Sequence, residues 1–252
     1  MGRGIQLAKK KITTTTTVTE EIIDEPAVKA GVTRVLAIVD VSGSMRPLIA
    51  ATIEGYNGYL DALLADEATK DATITLVLFS EGAPQIVDED AALAQATRLS
   101  VAMNLARGST ALYDAVGVAV TTLERHVSPQ DKALVAIITD GEENASRIYS
   151  HANIKSMITR LSEKGWAFAY IGANKEPFAV AASLGISYGS TMAYQPTNQG
   201  TRNVYYTLSQ ATNSYTTGER GPESVFIVPG GSVSGTTKLA DADDDNAGML
   251  VP

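Results

Sequence analysis

The chain has 252 residues, a length typical of one large domain with appendages rather than of two domains. Its net charge of −8 argues against a sequence-independent nucleic-acid binder, which needs a basic face. Cysteine is absent and only two histidines are present, so disulfides, thiolate metal sites and all-imidazole metal sites are excluded.

The first 31 residues differ from the rest of the chain. They contain five consecutive threonines, Thr13 to Thr17, which favour extended backbone but bury little surface. We expect a flexible or edge-strand arm. The alternative is an arm that adds a strand to a neighbouring molecule. The sequence shows no apolar core of a signal peptide and no run near the ~20 apolar residues of a membrane helix. A protein made in the cytoplasm, remaining there or joining a soluble particle, is therefore expected.

From Thr33 onward, apolar β-branched runs alternate with segments of helical periodicity. Strands are predicted at Thr33–Val41, Thr73–Phe79, Gln85–Val87, Ala133–Thr139, Trp166–Ile171 and Ser187–Ala193. Helices are predicted from Pro47 through Leu63, at Ala111–Val127, Ile154–Glu163 and Pro177–Leu184, and through Val204 to Tyr215. This alternation predicts an α/β fold with a doubly wound, mostly parallel, six-stranded sheet.

The sequence changes again after Gly218, where a Gly- and Asp-rich stretch begins. Val225–Val228 has the composition of one more strand. The acidic run Asp241–Asn246 has the alternating acids of a calcium loop but lacks the glycine and the glutamate that such a loop needs, so a solvated tail is predicted. The chain is thus predicted to have three parts, namely an N-terminal arm (1–31), a domain (32–217) and a C-terminal tail (218–252).

Oxygen-bearing side chains stand at the ends of two predicted strands. Asp40, Ser42 and Ser44 alternate at the end of the first strand and therefore point the same way, and Asp140 ends the fourth strand. In a 3-2-1-4-5-6 order these strands are neighbours at the reversal point, where doubly wound sheets bind ligands. Thr110 precedes the helix between them. Such hard oxygen ligands suit Mg²⁺, with Mn²⁺ or Ca²⁺ as alternatives.

Three short motifs carry these residues, namely Asp-x-Ser-x-Ser at 40–44, Gly-Ser-Thr-Ala-Leu-Tyr-Asp around Thr110 and Ile-Thr-Asp-Gly around Asp140. Together they resemble the metal-ion-dependent adhesion site (MIDAS) of the von Willebrand factor A (vWA) domain family. The resemblance implies a Rossmann-like vWA fold and a metal-dependent protein-binding module rather than an enzyme. It also implies that a protein partner offers an Asp or Glu to the metal. The implied metal ligands are Asp40, Ser42, Ser44, Thr110 and Asp140.

Three acids near these residues have other expected roles. Asp114 matches a recurring position of the family and is expected to bind the helix end and a loop rather than the metal. Glu142 and Glu143, just beyond Asp140, could reach the face or lip of the metal site, but they are expected to be solvated loop acids.

Other interpretations assign these polar residues a different role. A phosphatase of the haloacid dehalogenase type needs a second acid where Ser42 stands, and neither a P-loop nor a dinucleotide motif is present. The polar residues could instead only cap loops and helices, or the site could have kept its residues and lost its metal. The alternative function is a structural subunit of a large assembly, such as a phage particle, that uses the fold as a scaffold and self-assembles through its terminal arms.

Overall fold

The computed structural model describes residues 31–103, 106, 108–173 and 176–226. The predicted N-terminal arm, apart from its last residue, lies outside this part of the chain. The acidic run of the predicted C-terminal tail lies outside it as well.

Six strands form one sheet in the order β3-β2-β1-β4-β5-β6. The strands are β1 (Thr33–Asp40), β2 (Thr73–Phe79), β3 (Gln85–Ala92), β4 (Lys132–Thr139), β5 (Ala167–Gly172) and β6 (Thr191–Ala193). All neighbours pair in parallel except β2 and β3, which are antiparallel. The predicted α/β fold with a doubly wound, mostly parallel, six-stranded sheet is confirmed.

Helices cover both faces of this sheet. They are α1 (Ile49–Ala65), α2 (Leu112–Glu124), α3 (His151–Ser162), α4 (Pro177–Ser183) and α5 (Asn198–Thr217). On β1, Leu36 and Ile38 point into the core shared with α2 and α3, whereas Val35, Ala37 and Val39 point into the core shared with α1 and α5. Because both faces are buried, the middle of β1, Val35–Val39, is continuously apolar rather than alternating. None of the helices within the described ranges combines the length and apolarity needed to cross a membrane.

The edge strand β3 is longer than predicted, running over Gln85–Ala92 rather than Gln85–Val87. Its sequence contains three consecutive acids that disfavour a strand. One of them, Asp90, has a positive φ of 49° and accepts hydrogen bonds from Arg34 (2.5 Å) and from the Thr73 hydroxyl (2.5 Å). These partners on β1 and β2 hold the acidic segment against the sheet, which the local sequence does not reveal.

The other edge of the sheet also differs from the prediction. The predicted strand Ser187–Ala193 is reduced to Thr191–Ala193, because the residues just before it form a 3-10 turn. At the predicted strand Val225–Val228, the first two residues are irregular, and the amide of Phe226 donates to the carbonyl of Gly189 (2.9 Å). The last two residues of that predicted strand lie outside the described chain.

Helices α1 and α5 approach each other closely at Gly55. A Cβ added there would lie 2.3 Å from the ring of Tyr205, which is fully buried. Gly58, one turn further along α1, is exposed and would meet nothing within 4 Å. The two glycines therefore share a helix but differ in the space available to a side chain.

We predict opposite effects for alanine at these two positions. Gly55→Ala forces the Tyr205 ring to move and should lower the free energy of unfolding by about 1–3 kcal/mol. Gly58→Ala removes backbone entropy from the unfolded chain and should raise it by about 0.5–1 kcal/mol. Urea denaturation of both variants measures the difference, and equal effects would contradict the close packing of α1 against α5.

Candidate metal centre

The two central strands bring the candidate site together. Strands β1 and β4 pair in parallel with Val39 opposite Ile138, so the loops that follow them begin side by side at the carboxyl ends of the strands. Asp40 is the last residue of β1, and Asp140 directly follows β4. Two side chains separated by 100 positions in the sequence therefore lie on neighbouring loops.

Hydrogen bonds connect four of the five predicted ligands. The buried Asp40 accepts at Oδ1 from the amide of Ser42 (2.7 Å), and the hydroxyls of Ser42 and Ser44 are 3.1 Å apart. The Ser44 hydroxyl then donates to Asp140 Oδ1 (2.7 Å). The Asp-x-Ser-x-Ser loop and the loop after β4 thus share one polar network.

The loop that carries Thr110 reaches the same place. Its carbonyl at Gly108 accepts from the amide of Gly43 (2.9 Å), within the Asp-x-Ser-x-Ser loop. A Cβ added to Gly141 would lie 2.9 Å from Thr110 Oγ1 and 3.6 Å from Asp40 Oδ2. The oxygens of Thr110 and Asp40 therefore face a common space, which remains open because residue 141 has no side chain.

A residue that the sequence analysis did not select also belongs to this network. The hydroxyl of Thr139 donates to Asp40 Oδ2 (2.6 Å), so both carboxylate oxygens of Asp40 have a protein donor. Thr139 is fully buried and ends β4 directly after the apolar run Ala133–Ile138. A lone hydroxyl at the end of a buried strand, next to a candidate ligand, is the signal that could have identified it.

The two carboxylates are held in an environment that disfavours their charge. Burial raises the pKa of Asp40, the negative charge of Asp140 adds to this, and the bonds from Thr139 and Ser42 oppose it without cancelling it. Burial likewise raises the pKa of Asp140 despite the bond from Ser44. The protein alone does not compensate fully for bringing these charges together, and a bound cation would lower both pKa values.

The predicted role of Glu143 as a solvated acid is wrong, whereas Glu142 is exposed as expected. Glu143 accepts from the amides of Tyr113 (3.0 Å) and Ser146 (2.8 Å). The reason is its position beside the first turn of α2, where amide groups have no partner within the helix. Its neighbour Asn144 accepts from the amide of Thr110 (2.9 Å) and so positions that loop.

Asp114 has the predicted role in binding a loop rather than the site. It lies in the first turn of α2 and accepts from the amides of Arg147 (2.8 Å), Ile148 (2.9 Å) and Tyr149 (2.7 Å). Burial alone would raise the pKa of Asp114, but these three amides together lower it below its usual range. The loop that follows Asp140 is therefore fastened to the helix that follows Thr110.

The donor set fits a hard divalent cation. Two carboxylates approximately balance a double charge, and three hydroxyls supply further oxygen ligands of the kind that Mg²⁺ and Ca²⁺ prefer. The described chain holds no group of three or more His, Cys, Asp or Glu side chains arranged for a metal, so this site depends on its hydroxyls as well as on its two acids. The open space beside Gly141 supports the same assignment, because a Cβ would intrude between the oxygens there.

Solved structures with a similar fold support this view of the architecture. A structure of proximal thread matrix protein 1 from the mussel byssus, with a zinc-occupied MIDAS motif, has a TM-score of 0.54 at 13% identity, covering 74% of this chain and 46% of that one. The PilB minor pilin from Streptococcus sanguinis has a TM-score of 0.58 at 12% identity, covering 76% of this chain and 64% of the pilin chain. The pilus adhesin SpaC from Lactobacillus rhamnosus GG has a TM-score of 0.57 at 12% identity, covering 74% of this chain and 31% of the adhesin chain.

The chain has a vWA-like fold. At these identities the likeness shows the fold alone, and the chain spans about half the length of the mussel protein. No protein-family model and no curated protein sequence matches the chain.

We predict an acid-sensitive contribution of Asp114 to stability. Because its pKa is lowered in the fold, its contribution is present above the unfolded pKa of about 4 and is lost as the pH falls through the folded value. Asp114→Asn should therefore cost about 2 kcal/mol at pH 7, and the difference from wild type should shrink towards pH 2.

Urea denaturation at the two pH values measures this effect. Glu142→Gln is the control, since it removes an exposed acid from the same loop. A deficit of Asp114→Asn that is unchanged at pH 2 would mean that the charge of Asp114 does not support the loop.

Proposed function

We propose that the chain is a divalent-metal-dependent protein-binding module. The ion would be held by two carboxylates and three hydroxyls from three loops, namely Asp40, Ser42, Ser44, Thr110 and Asp140. The observation that carries the proposal is the convergence of these loops: Ser44 donates to Asp140, and Thr110 and Asp40 face one space beside Gly141. The zinc-occupied MIDAS motif named for the mussel matrix protein, whose fold is similar, supports the same assignment.

The exposure of the ligands indicates where a partner would bind. Asp40 and Ser42 are buried, with 0% and 1% of their surface exposed, whereas Ser44 is exposed and Asp140 is half-buried. The open side of the site is therefore the side of Ser44 and Asp140. A bound Mg²⁺, Mn²⁺ or Ca²⁺ would supply positive charge there, with a free position for an acidic oxygen. The partner we propose is a protein that presents an Asp or Glu at its surface.

The proposed module binds and does not catalyse. In a dehalogenase-type phosphatase an acid two positions after the nucleophile protonates the leaving group, and here that position is Ser42, whose hydroxyl lies beside that of Ser44. The proteins with similar folds are named as a matrix protein, a minor pilin and a pilus adhesin, which supports an interaction or structural role.

A structural subunit of a large assembly, such as a phage particle, is the second candidate. The observation that favours it is the similarity of the fold to a byssal matrix protein and to a minor pilin. In this proposal the domain (32–217) is a rigid block, and the arm (1–31) and tail (218–252) connect copies to one another. The two candidates differ in whether the metal or the termini hold the partner.

We predict that metal binding stabilises the protein through Asp140. Mg²⁺ at 100 times its dissociation constant should raise the free energy of unfolding by about 2.7 kcal/mol, because the ion binds the folded chain only. Asp140→Asn, which keeps the size of the side chain, should abolish this gain. Asp71→Asn is the control and should keep the gain, because Asp71 is exposed in the turn before β2, at the amino ends of the strands.

Urea denaturation with MgCl₂ and with EDTA measures the gain for the three proteins. If wild type shows no gain at millimolar Mg²⁺, or Mn²⁺, the site does not bind metal. An equal gain in Asp140→Asn would place the ion elsewhere.

We predict that partner capture depends on the metal rather than on the termini. Immobilised wild type should retain a partner in Mg²⁺ and release it in EDTA, and Asp140→Asn should retain none. A chain lacking residues 1–30 and 227–252 should still capture the partner. The opposite result, in which the shortened chain fails to associate and EDTA has no effect, would favour the structural subunit.

A further inference from the structure

A tyrosine lies beside the candidate metal centre without a role in the network described above. Tyr194 directly follows β6, and its amide donates to the carbonyl of Gly172 (3.1 Å) at the end of β5. The strand register places Thr139 opposite Gly172, and Gly172 opposite Ala193. Tyr194 and Asp140 therefore each follow the carboxyl end of a strand, β6 and β4, and these aligned ends are separated only by β5.

The hydroxyl of Tyr194 is enclosed by protein but has no hydrogen-bond partner within the described part of the chain. Buried hydroxyls are almost always paired, so such a group needs an explanation. Burial raises the pKa of Tyr194, and the negative charges of Asp140 and Asp40 raise it further. An enclosed phenol without a partner among the described residues thus lies at the end of the sheet that carries both carboxylates.

Two more buried tyrosine hydroxyls continue from this point into the core. Those of Tyr205 and Tyr56 are likewise without a partner among the described residues, and their rings meet edge to face with centroids 6.4 Å apart. Burial raises the pKa of Tyr205, and Tyr194 and Tyr56 contribute to that rise. The apolar core between the sheet and helices α1 and α5 therefore contains buried phenol hydroxyls, a kind of group that ordered water commonly satisfies.

We propose that Tyr194 is a positioning residue of the metal centre, whose hydroxyl donates a hydrogen bond to Asp140 or to a water bound beside it when the ion is present. The inference rests on the proposed metal-binding function. The orphaned hydroxyl and its place beside Asp140 carry it. A phenol is suited to this role because it remains a neutral donor at physiological pH, so it supports a carboxylate without neutralising it.

We therefore expect removal of the Tyr194 hydroxyl to lower the metal affinity without lowering the stability of the metal-free protein. Hydrogen bonds that orient metal ligands from outside commonly change metal affinity 10–100-fold when they are removed. Among the described residues the Tyr194 hydroxyl has no hydrogen bond to lose, so its removal should leave the stability of the metal-free protein unchanged or slightly higher. A tyrosine that served only the core would affect stability and not affinity.

The experiment compares Tyr194→Phe with wild type in two measurements, namely titration calorimetry with MnCl₂ and urea denaturation in EDTA. Tyr206→Phe is the matched control, because it removes a phenol hydroxyl from a side chain that is 70% exposed on α5. We expect Tyr194→Phe to bind Mn²⁺ about ten-fold more weakly with an unchanged unfolding midpoint in EDTA. Tyr206→Phe should match wild type in both.

Three results would overturn the inference. Equal Mn²⁺ affinity of Tyr194→Phe and wild type would remove Tyr194 from the site while leaving the proposed function intact. Weaker binding together with a lower midpoint in EDTA would assign Tyr194 a structural role instead. Absence of Mn²⁺ binding by wild type would refute the proposed function and, with it, this inference.

Discussion

The parallel pairing of β1 with β4 at the centre of the sheet is the constraint on which the rest of the candidate site depends. It places Asp40 and Asp140 on adjacent loops, although the intervening chain contains β2, β3 and α2. Both strands are buried on both faces, which makes their register hard to change. The positions of the two carboxylates are therefore set by the hydrophobic core rather than by their own contacts.

The site combines this rigid base with an unfavourable concentration of negative charge. Thr139 and Ser42 hold Asp40 in one orientation, and Ser44 does the same for Asp140, yet both pKa values remain raised. An arrangement of this kind costs stability in the free protein and favours a cation. Preorganised oxygen ligands that repel one another are consistent with binding as the proposed role.

The loops around the candidate site are held in place by acids that bind backbone amides rather than the five candidate ligands. Asp114 and Glu143 together accept hydrogen bonds from six backbone amides, in the loop after Asp140 and in the first turn of α2. Asn144 ties Thr110 to the same loop. The loop after β4 and the loop before α2 thus behave as one unit, so a partner would meet a surface whose shape is set before binding.

The sequence by itself determined the class of fold, the order of its elements and the candidate ligands, because hydrophobic periodicity and the Asp-x-Ser-x-Ser, Thr and Asp motifs are local patterns. Only the tertiary structure decided the length of β3, the role of Glu143 and the presence of Thr139 and Tyr194 beside the carboxylates. Each of these depends on a contact across the sheet or between loops that are distant along the chain. Arg34 donates a hydrogen bond to Asp90, which lies 56 positions away in the sequence, and Thr139 donates one to Asp40, which lies 99 positions away. Such contacts arise from strand order and register, which no single segment encodes.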